Sequence, residues 1–191
     1  MISALSRRMQ VIKPLRTVRW LATFEEDDAA MEQTARHAFA QSCYLKINWK
    51  ISEQAMVEEA LHRMVVNKIG CLAVTEGAGD SGTVVGIISE RDYVGKVALL
   101  NKNPKTTPVS EVCTHGKANL ISVTLDNPVD ACMRKVLARD IRHLLIREKD
   151  TGNMVGLISI KDLVKCVVAK HDAVVHRLES VVLTSEFFKQ I

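Results

Sequence analysis

The chain contains the same unit twice. VEEALHRMVVNKIGCLAV, from Val57 to Val74, and VDACMRKVLARDIRHLLI, from Val129 to Ile146, align without a gap. Val57 matches Val129, Ala60 matches Cys132, Leu61 matches Met133, Met64 matches Val136, Ile69 matches Ile141 and Leu72 matches Leu144. A unit this small buries its apolar face most readily against its own copy, which points to a pseudo-symmetric pair. In both copies the apolar positions fall at i, i+3, i+4 and i+7, one side of a helix. Asn127 before Pro128 predicts a capped start for the second helix, whereas Ala55 and Met56 provide no such signal for the first.

Each helix leads into a short apolar run, Cys71 to Val74 and Leu144 to Ile146. Glycine-containing loops at Glu76 to Gly82 and Lys149 to Asn153 then return the chain into VVGIIS, Val84 to Ser89, and MVGLIS, Met154 to Ser159. Both pairs predict β-hairpins. Leu45 to Ile51 and Leu120 to Thr124 are further strand candidates. The predicted fold is α/β: two repeated modules packed with pseudo-twofold symmetry and flanked by N- and C-terminal helices.

Composition narrows the function. With 191 residues and 47% hydrophobic content the chain can bury a real core, but at 4% aromatic it has few stacking platforms for nucleic acid. The net charge of +4 is concentrated at one end. Arg7, Arg8, Lys13, Arg16 and Arg19 occur in the first 24 residues with no acid, leaving 21 basic side chains against 22 acidic ones elsewhere. A nearly neutral body gives nucleic acid little long-range attraction. The arginine-rich, acid-free start has the composition of a mitochondrial transit peptide, predicting a matrix or matrix-facing location, with a plain basic tail as the alternative. No apolar run approaches the ~20 residues of a membrane-spanning helix.

Chemistry-bearing residues are scattered. The five cysteines, Cys43, Cys71, Cys113, Cys132 and Cys166, form no C-x-x-C pair and read mainly as small reduced hydrophobes. Cys113-Thr114-His115 brings a thiol near an imidazole in sequence, but that separation does not establish a nucleophile and base. His171 and His176 are poorly spaced for metal ligation from one helical face. No catalytic residues, metal ligands, P-loop or complete dinucleotide fingerprint emerge, so an enzyme is not expected.

The strand endings carry the recognisable pattern. Gly86-Ile87-Ile88-Ser89-Glu90-Arg91-Asp92 and Gly156-Leu157-Ile158-Ser159-Ile160-Lys161-Asp162 both read G-x-x-S-x-x-D. With its two complete copies, the chain resembles the cystathionine beta-synthase (CBS) domain family as a tandem pair, a Bateman module. The likeness runs from about Leu45 to Lys170, and the connector Arg91 to Val97 is similar to that of stand-alone CBS-pair proteins, including plant organellar ones. It implies a first module at 44–100, a linker at 101–108 and a second module at 109–170, and the residue pattern outside it adds a targeting segment at 1–24, a helical extension at 25–43 and a helical tail at 171–191. Val109 to Thr114 then forms the second module's lead-in, and Tyr44 to Ile47 is a divergent counterpart for the first.

At a helix start, a carboxylate can accept from two ribose hydroxyls and a serine can donate to phosphate. The resemblance implies binding of AMP, ADP, ATP or S-adenosylmethionine as regulatory ligand, with no obligatory cofactor. It makes Asp92 and Asp162 ribose-binding candidates, places Ser89 and Ser159 near phosphate, and leaves Arg91 and Lys161 to compensate phosphate charge. Ile69 and Ile141 are base contacts, and Ile87 and Leu157 cleft walls. Arg142 and His143 replace Gly70 and Cys71 of the first copy, so the two clefts should differ. A second reading stays open, in which each Ser and Asp only caps a helix beside an empty cleft.

With little chain left over, the expected function is a regulatory nucleotide sensor acting on a partner. Its alternative is a structural subunit of a mitochondrial assembly. The resemblance implies a homodimer; partners would be a mitochondrial enzyme, a thioredoxin-system protein or a larger complex. Val174, Val175, Leu178, Val181, Val182 and Leu183, extended by Phe187 and Phe188, predict an apolar helix side for docking or for packing on the same chain.

Overall fold

The computed structural model describes residues 33–77, 82–116 and 118–189, with side chains described as far as residue 180. The basic N-terminal segment and residues 25–32 of the extension expected at 25–43 lie outside the described residues, as do the side chains of Val181 to Phe188.

The repeat folds twice in the same way. Its first copy contains β1 (Lys50–Ser52), α2 (Val57–Asn67), β2 (Cys71–Thr75) and β3 (Val84–Ser89), preceded by the short helix α1 (Ala35–Ala40) and a 3-10 turn at Cys43–Lys46. Helix α3 (Glu90–Tyr93), a π-helical turn at Val94–Ala98, a 3-10 turn at Val109–Glu111 and β4 (Thr114–His115) lead onward. The second copy contains β5 (Ser122–Val123), α4 (Val129–Ala138), β6 (His143–Arg147), β7 (Met154–Ser159) and the 30-residue α5 (Ile160–Lys189). Leu45 and Lys46, expected in a strand, belong to the 3-10 turn; extended pairing starts only at Lys50.

The sheets run β1-β2-β3-β4 and β5-β6-β7. Their hairpins share one register: Cys71 pairs with Ser89 as His143 does with Ser159, and Ala73 pairs with Ile87 as Leu145 does with Leu157. Even the register shift recurs, at Val74/Thr75 and at Ile146/Arg147. Both central strands lie between two layers, which is why they read as continuous apolar runs rather than alternating ones. Leu72, Val74 and Ile88 are buried with the first repeat's α2, while Leu144, Ile146 and Ile158 are buried with α4 of the second. Leu145 and Leu157 join the first core from the second repeat.

The helices bury their predicted stripes, Val57, Ala60 and Met64 on α2 and Val129, Cys132 and Val136 on α4. Their starts are made differently from the expectation. Asn127 turns its side chain back to accept from the Thr124 amide at 2.8 Å, and Pro128 stays extended just before the helix. The Val129 amide instead donates to the Gln33 carbonyl, as the Val57 amide donates to Thr107. Main-chain carbonyls from a distant segment thus take the place of a side-chain cap, which explains why α2 begins without a capping residue.

Those distant segments cross over between the halves. Thr34 bridges Pro128 and Met56 bridges Pro108. Val109, Val112 and Cys113 are buried in the first core, and β4 pairs with β3, so the stretch expected to lead into the second repeat packs on the first. Reciprocally, Ala35 and Ala38 of α1 are buried in the second core. The motif glycines make room for these crossings. A Cβ on Gly156 would stand 2.5 Å from the Phe39 ring, and one on Gly86 would stand 3.1 Å from Cys113 Sγ.

Candidate ligand-binding clefts

Just past the ends of α2 and α4, Lys68 and Asp140 lie in the left-handed region at φ 55° and 47°. The turn carries the following residues, Ile69-Gly70-Cys71 and Ile141-Arg142-His143, to the edge of the opposite repeat's returning strand. Two clefts result. The first, about 190 Å³, joins Ile87, Ser89, Arg91 and Asp92 of the first repeat to Ile141, Arg142 and His143 of the second. The other, about 770 Å³, joins Ser159, Lys161 and Asp162 of the second repeat to Lys68, Ile69 and Gly70 of the first. Each motif therefore meets its sister's loop across the cleft, while the first amide of its own helix, Glu90 or Ile160, donates to the Gly70 or Arg142 carbonyl of its own loop.

In the first cleft the Asp92 side chain is 14% exposed. Its Oδ2 accepts from the Ser89 amide at 2.9 Å and the Ser89 hydroxyl at 2.6 Å, while Oδ1 accepts from Lys96 Nζ at 2.7 Å. Lys96 also donates to the Val112 carbonyl, tying the carboxylate to the crossing segment. Arg91 Nη1 reaches across the opening to Asp140, 3.3 Å from Oδ2 and 3.2 Å from its carbonyl. Ile87, Ile121 and Ile141 supply apolar wall, and Thr114 and Asn119 polar groups.

In the second cleft Asp162 is only 2% exposed. One oxygen, Oδ2, accepts from the Ser159 amide, the Ser159 hydroxyl and the Ser42 hydroxyl, at 2.9, 2.8 and 3.0 Å. Leu157, expected on the cleft wall, is fully buried in the core instead. Tyr44 belongs to the same buried cluster and donates its hydroxyl to the Cys71 carbonyl at 3.1 Å. Burial drives the Tyr44 phenol well above its ordinary pKa, so it stays protonated. Ile69 lines this cleft but is largely buried.

His143 and Arg142 line both clefts. The His143 ring meets Tyr44 edge-on, with centroids 6.0 Å apart. Desolvation, helped by the adjacent Arg142 charge and opposed by Asp162, lowers its pKa to about 4, leaving a neutral imidazole at pH 7. At the equivalent position Cys71 is buried, and desolvation pushes its thiol up.

Cys113 and His115 do meet: Sγ lies 3.0 Å from Nε2. The same nitrogen sits 2.8 Å from the Ser110 carbonyl, which only an N–H can satisfy, so it is a donor rather than a base. Burial pushes the Cys113 thiol up to about 11. This pair secures the crossing segment and is not an activated nucleophile. Among the described residues no group of three or more His, Cys, Asp or Glu side chains is placed to hold a metal ion, and no helix is long and apolar enough to cross a membrane.

Sequence reasoning missed Asp140, Lys68 and Tyr44 as cleft residues and Lys96 as the partner of Asp92. The repeat alignment could have flagged the first two, since they occupy one aligned position with opposite charge. Nothing local in the sequence marks the other two.

Comparison with known proteins agrees with this geometry. The CBS domain family model matches residues 49–98 and 109–169. The chain is similar to the mitochondrial CBS domain-containing protein CBSX3 of Arabidopsis thaliana, 34% identical over 124 residues that cover 65% of this chain and 58% of that one. It spans less than two thirds of that relative's length. A crystal structure of the CBS domain NE2398 superposes with TM-score 0.61 at 31% identity, covering 71% of this chain and 98% of the other. The fold is shared with Pyrobaculum aerophilum PAE2072, a CBS domain protein solved in complex with AMP, at TM-score 0.51 and 24% identity over 59% of this chain and 80% of that one. The chain belongs to the CBS domain family and carries a tandem pair of these domains.

Proposed function

We propose that the protein is a regulatory module that senses an adenosine nucleotide in its first cleft and passes the signal to a partner protein. The observation that carries this reading is the placement of Asp92 from one repeat opposite Ile141 and Arg142 of the other, in one cavity. A ribose hydroxyl pair suits the carboxylate, the base suits the isoleucine walls, and phosphate suits Arg91 and Arg142. AMP in the fold relative PAE2072 supports the ligand class. A cavity of about 190 Å³ has to widen to hold a whole nucleotide. The exposed Arg91–Asp140 pair that spans its mouth is weak enough to part, and phosphate would compete for Arg91. Ligand binding then replaces one bridge between the halves with another and biases their arrangement, which is the signal. A mitochondrial setting is supported by the acid-free basic start and by the relative CBSX3.

A structural, ligand-free module is favoured by one observation, the engagement of both carboxylates with their own helix starts. Thermal melts of the full chain separate the two readings. Adenosine or AMP at a hundredfold excess over Kd should stabilise it by about 2.7 kcal/mol. Asp92→Asn should reduce the increment, and Ile141→Arg, which fills the cleft, should abolish it. No change in melting and no calorimetric heat with either ligand would leave the structural module, which predicts persistent association with a larger complex.

A further inference from the structure

Five cations line the second cleft: Lys46, Lys68, Arg142, Lys161 and Lys165. Among the described residues none of their side chains makes an ion pair or a hydrogen bond. The only carboxylates on the lining are Glu90 and the buried Asp162. The start of α5, thirty residues long, opens onto the same space at Ser159, Ile160 and Lys161, adding the positive end of a long helix. With about 770 Å³ of room and little competing acid, this is a site built for concentrated negative charge.

It is poorly built for a nucleoside. Asp162 is only 2% exposed, too covered to receive two ribose hydroxyls, whereas Asp92 is half-buried. Leu157, the counterpart of the first cleft's wall residue Ile87, is fully buried in the core and gives this cleft no apolar wall there. Strong cationic potential without a free ribose acceptor selects phosphate groups and disregards the base.

We propose that the second cleft binds a small, multiply charged phosphate anion without a nucleoside, of the inorganic pyrophosphate or tripolyphosphate class. Lys68 and Lys161 clamp it from opposite repeats and Arg142 closes the inner side. Because Arg142 also lines the first cleft, the anion competes there for a phosphate partner, so the two sites are coupled.

Titration calorimetry of the full chain with sodium tripolyphosphate tests this, with sodium sulfate at matched ionic strength as the control. One site is expected, with affinity falling at least tenfold in the Lys68→Gln/Lys161→Gln variant and holding in Lys105→Gln, whose side chain pairs with Glu58 outside either cleft. Saturating adenosine should leave that site occupied. Absence of binding, an equal loss in Lys105→Gln, equal binding of sulfate, or displacement by adenosine would each overturn the proposal. The adenosine melts and the Asp92 and Ile141 variants report on the first cleft separately, so the two assignments stand or fall apart from each other.

Discussion

Across the mouth of the first cleft, Arg91 meets Asp140. In the second, Lys161 holds the place of Arg91 and Lys68 that of Asp140, so an attraction becomes a repulsion. The first cleft is narrow, with two arginines balanced by two aspartates; the second is wide and cationic. Behind the mouths, Ile87 lines the first cleft whereas Leu157 is buried in the core. One backbone plan, repeated in register, thus supports two different chemistries, because cleft lining depends on a few side chains that the hydrophobic pattern leaves free to vary. Duplication preserves packing, and divergence acts where packing does not reach.

The largest expected effect concerns the aligned pair Cys71 and His143. The folded-state pKa of His143, about 4, lies below the ordinary 6.5. Its contribution to stability is therefore present above pH 6.5 and is lost as pH falls toward 4, where the unfolded chain takes up the proton first. At about 1.4 kcal/mol per unit this is a loss of roughly 3 kcal/mol. His143→Cys, which copies the first repeat, should remove that component; equal pH slopes in urea denaturation of both proteins would break the comparison. Next come the motif glycines. Gly156→Ala should cost about 1 to 3 kcal/mol, since its Cβ meets the Phe39 ring at 2.5 Å, and Gly86→Ala, with contacts near 3.1 Å, should cost less. Denaturation midpoints in the reverse order would show that the two crossings are not equivalent.

Tyr44→Phe keeps the buried ring and deletes the bond to the Cys71 carbonyl, so stability should drop by about 1 kcal/mol. Tripolyphosphate binding should persist in this variant, because the buried ring remains; its loss would mean that the hydroxyl is a ligand contact. The smallest effect is at the rim. Arg91→Gln removes a pair whose side chains are 60% and 94% exposed, and its stability should stay within about 0.5 kcal/mol of the parent. AMP affinity should fall more than adenosine affinity, and parallel losses would place the phosphate elsewhere.

Much of the fold was legible in the chain. The i, i+3, i+4, i+7 stripes, the apolar runs and the glycine loops located α2, α4 and both hairpins, because burial on one side of a helix or both sides of a strand leaves a periodic record. Helix starts were less legible. Asn127 has the right chemistry for a cap but spends it on Thr124, and the carbonyls that cap α2 and α4 come from Thr107 and Gln33, far along the chain. Ser89 with Asp92 and Ser159 with Asp162 were identifiable as cleft residues, whereas Leu157 was misplaced because nothing near it in sequence announces its burial in the core.

From sequence alone come the duplication, the paired helix-and-hairpin units, the two acidic motif positions and the family resemblance, all properties of local periodicity and spacing. Tertiary structure alone decided that each motif faces the other repeat's loop, that the crossing segments exchange halves, and that Lys68 and Asp140 guard opposite mouths. These depend on contacts between residues far apart in the chain, such as Arg91 with Asp140, 49 positions away, and Ser42 with Asp162, 120 positions away. Such contacts are set by how two packed units close on one another, and leave no periodic trace in either strand or helix.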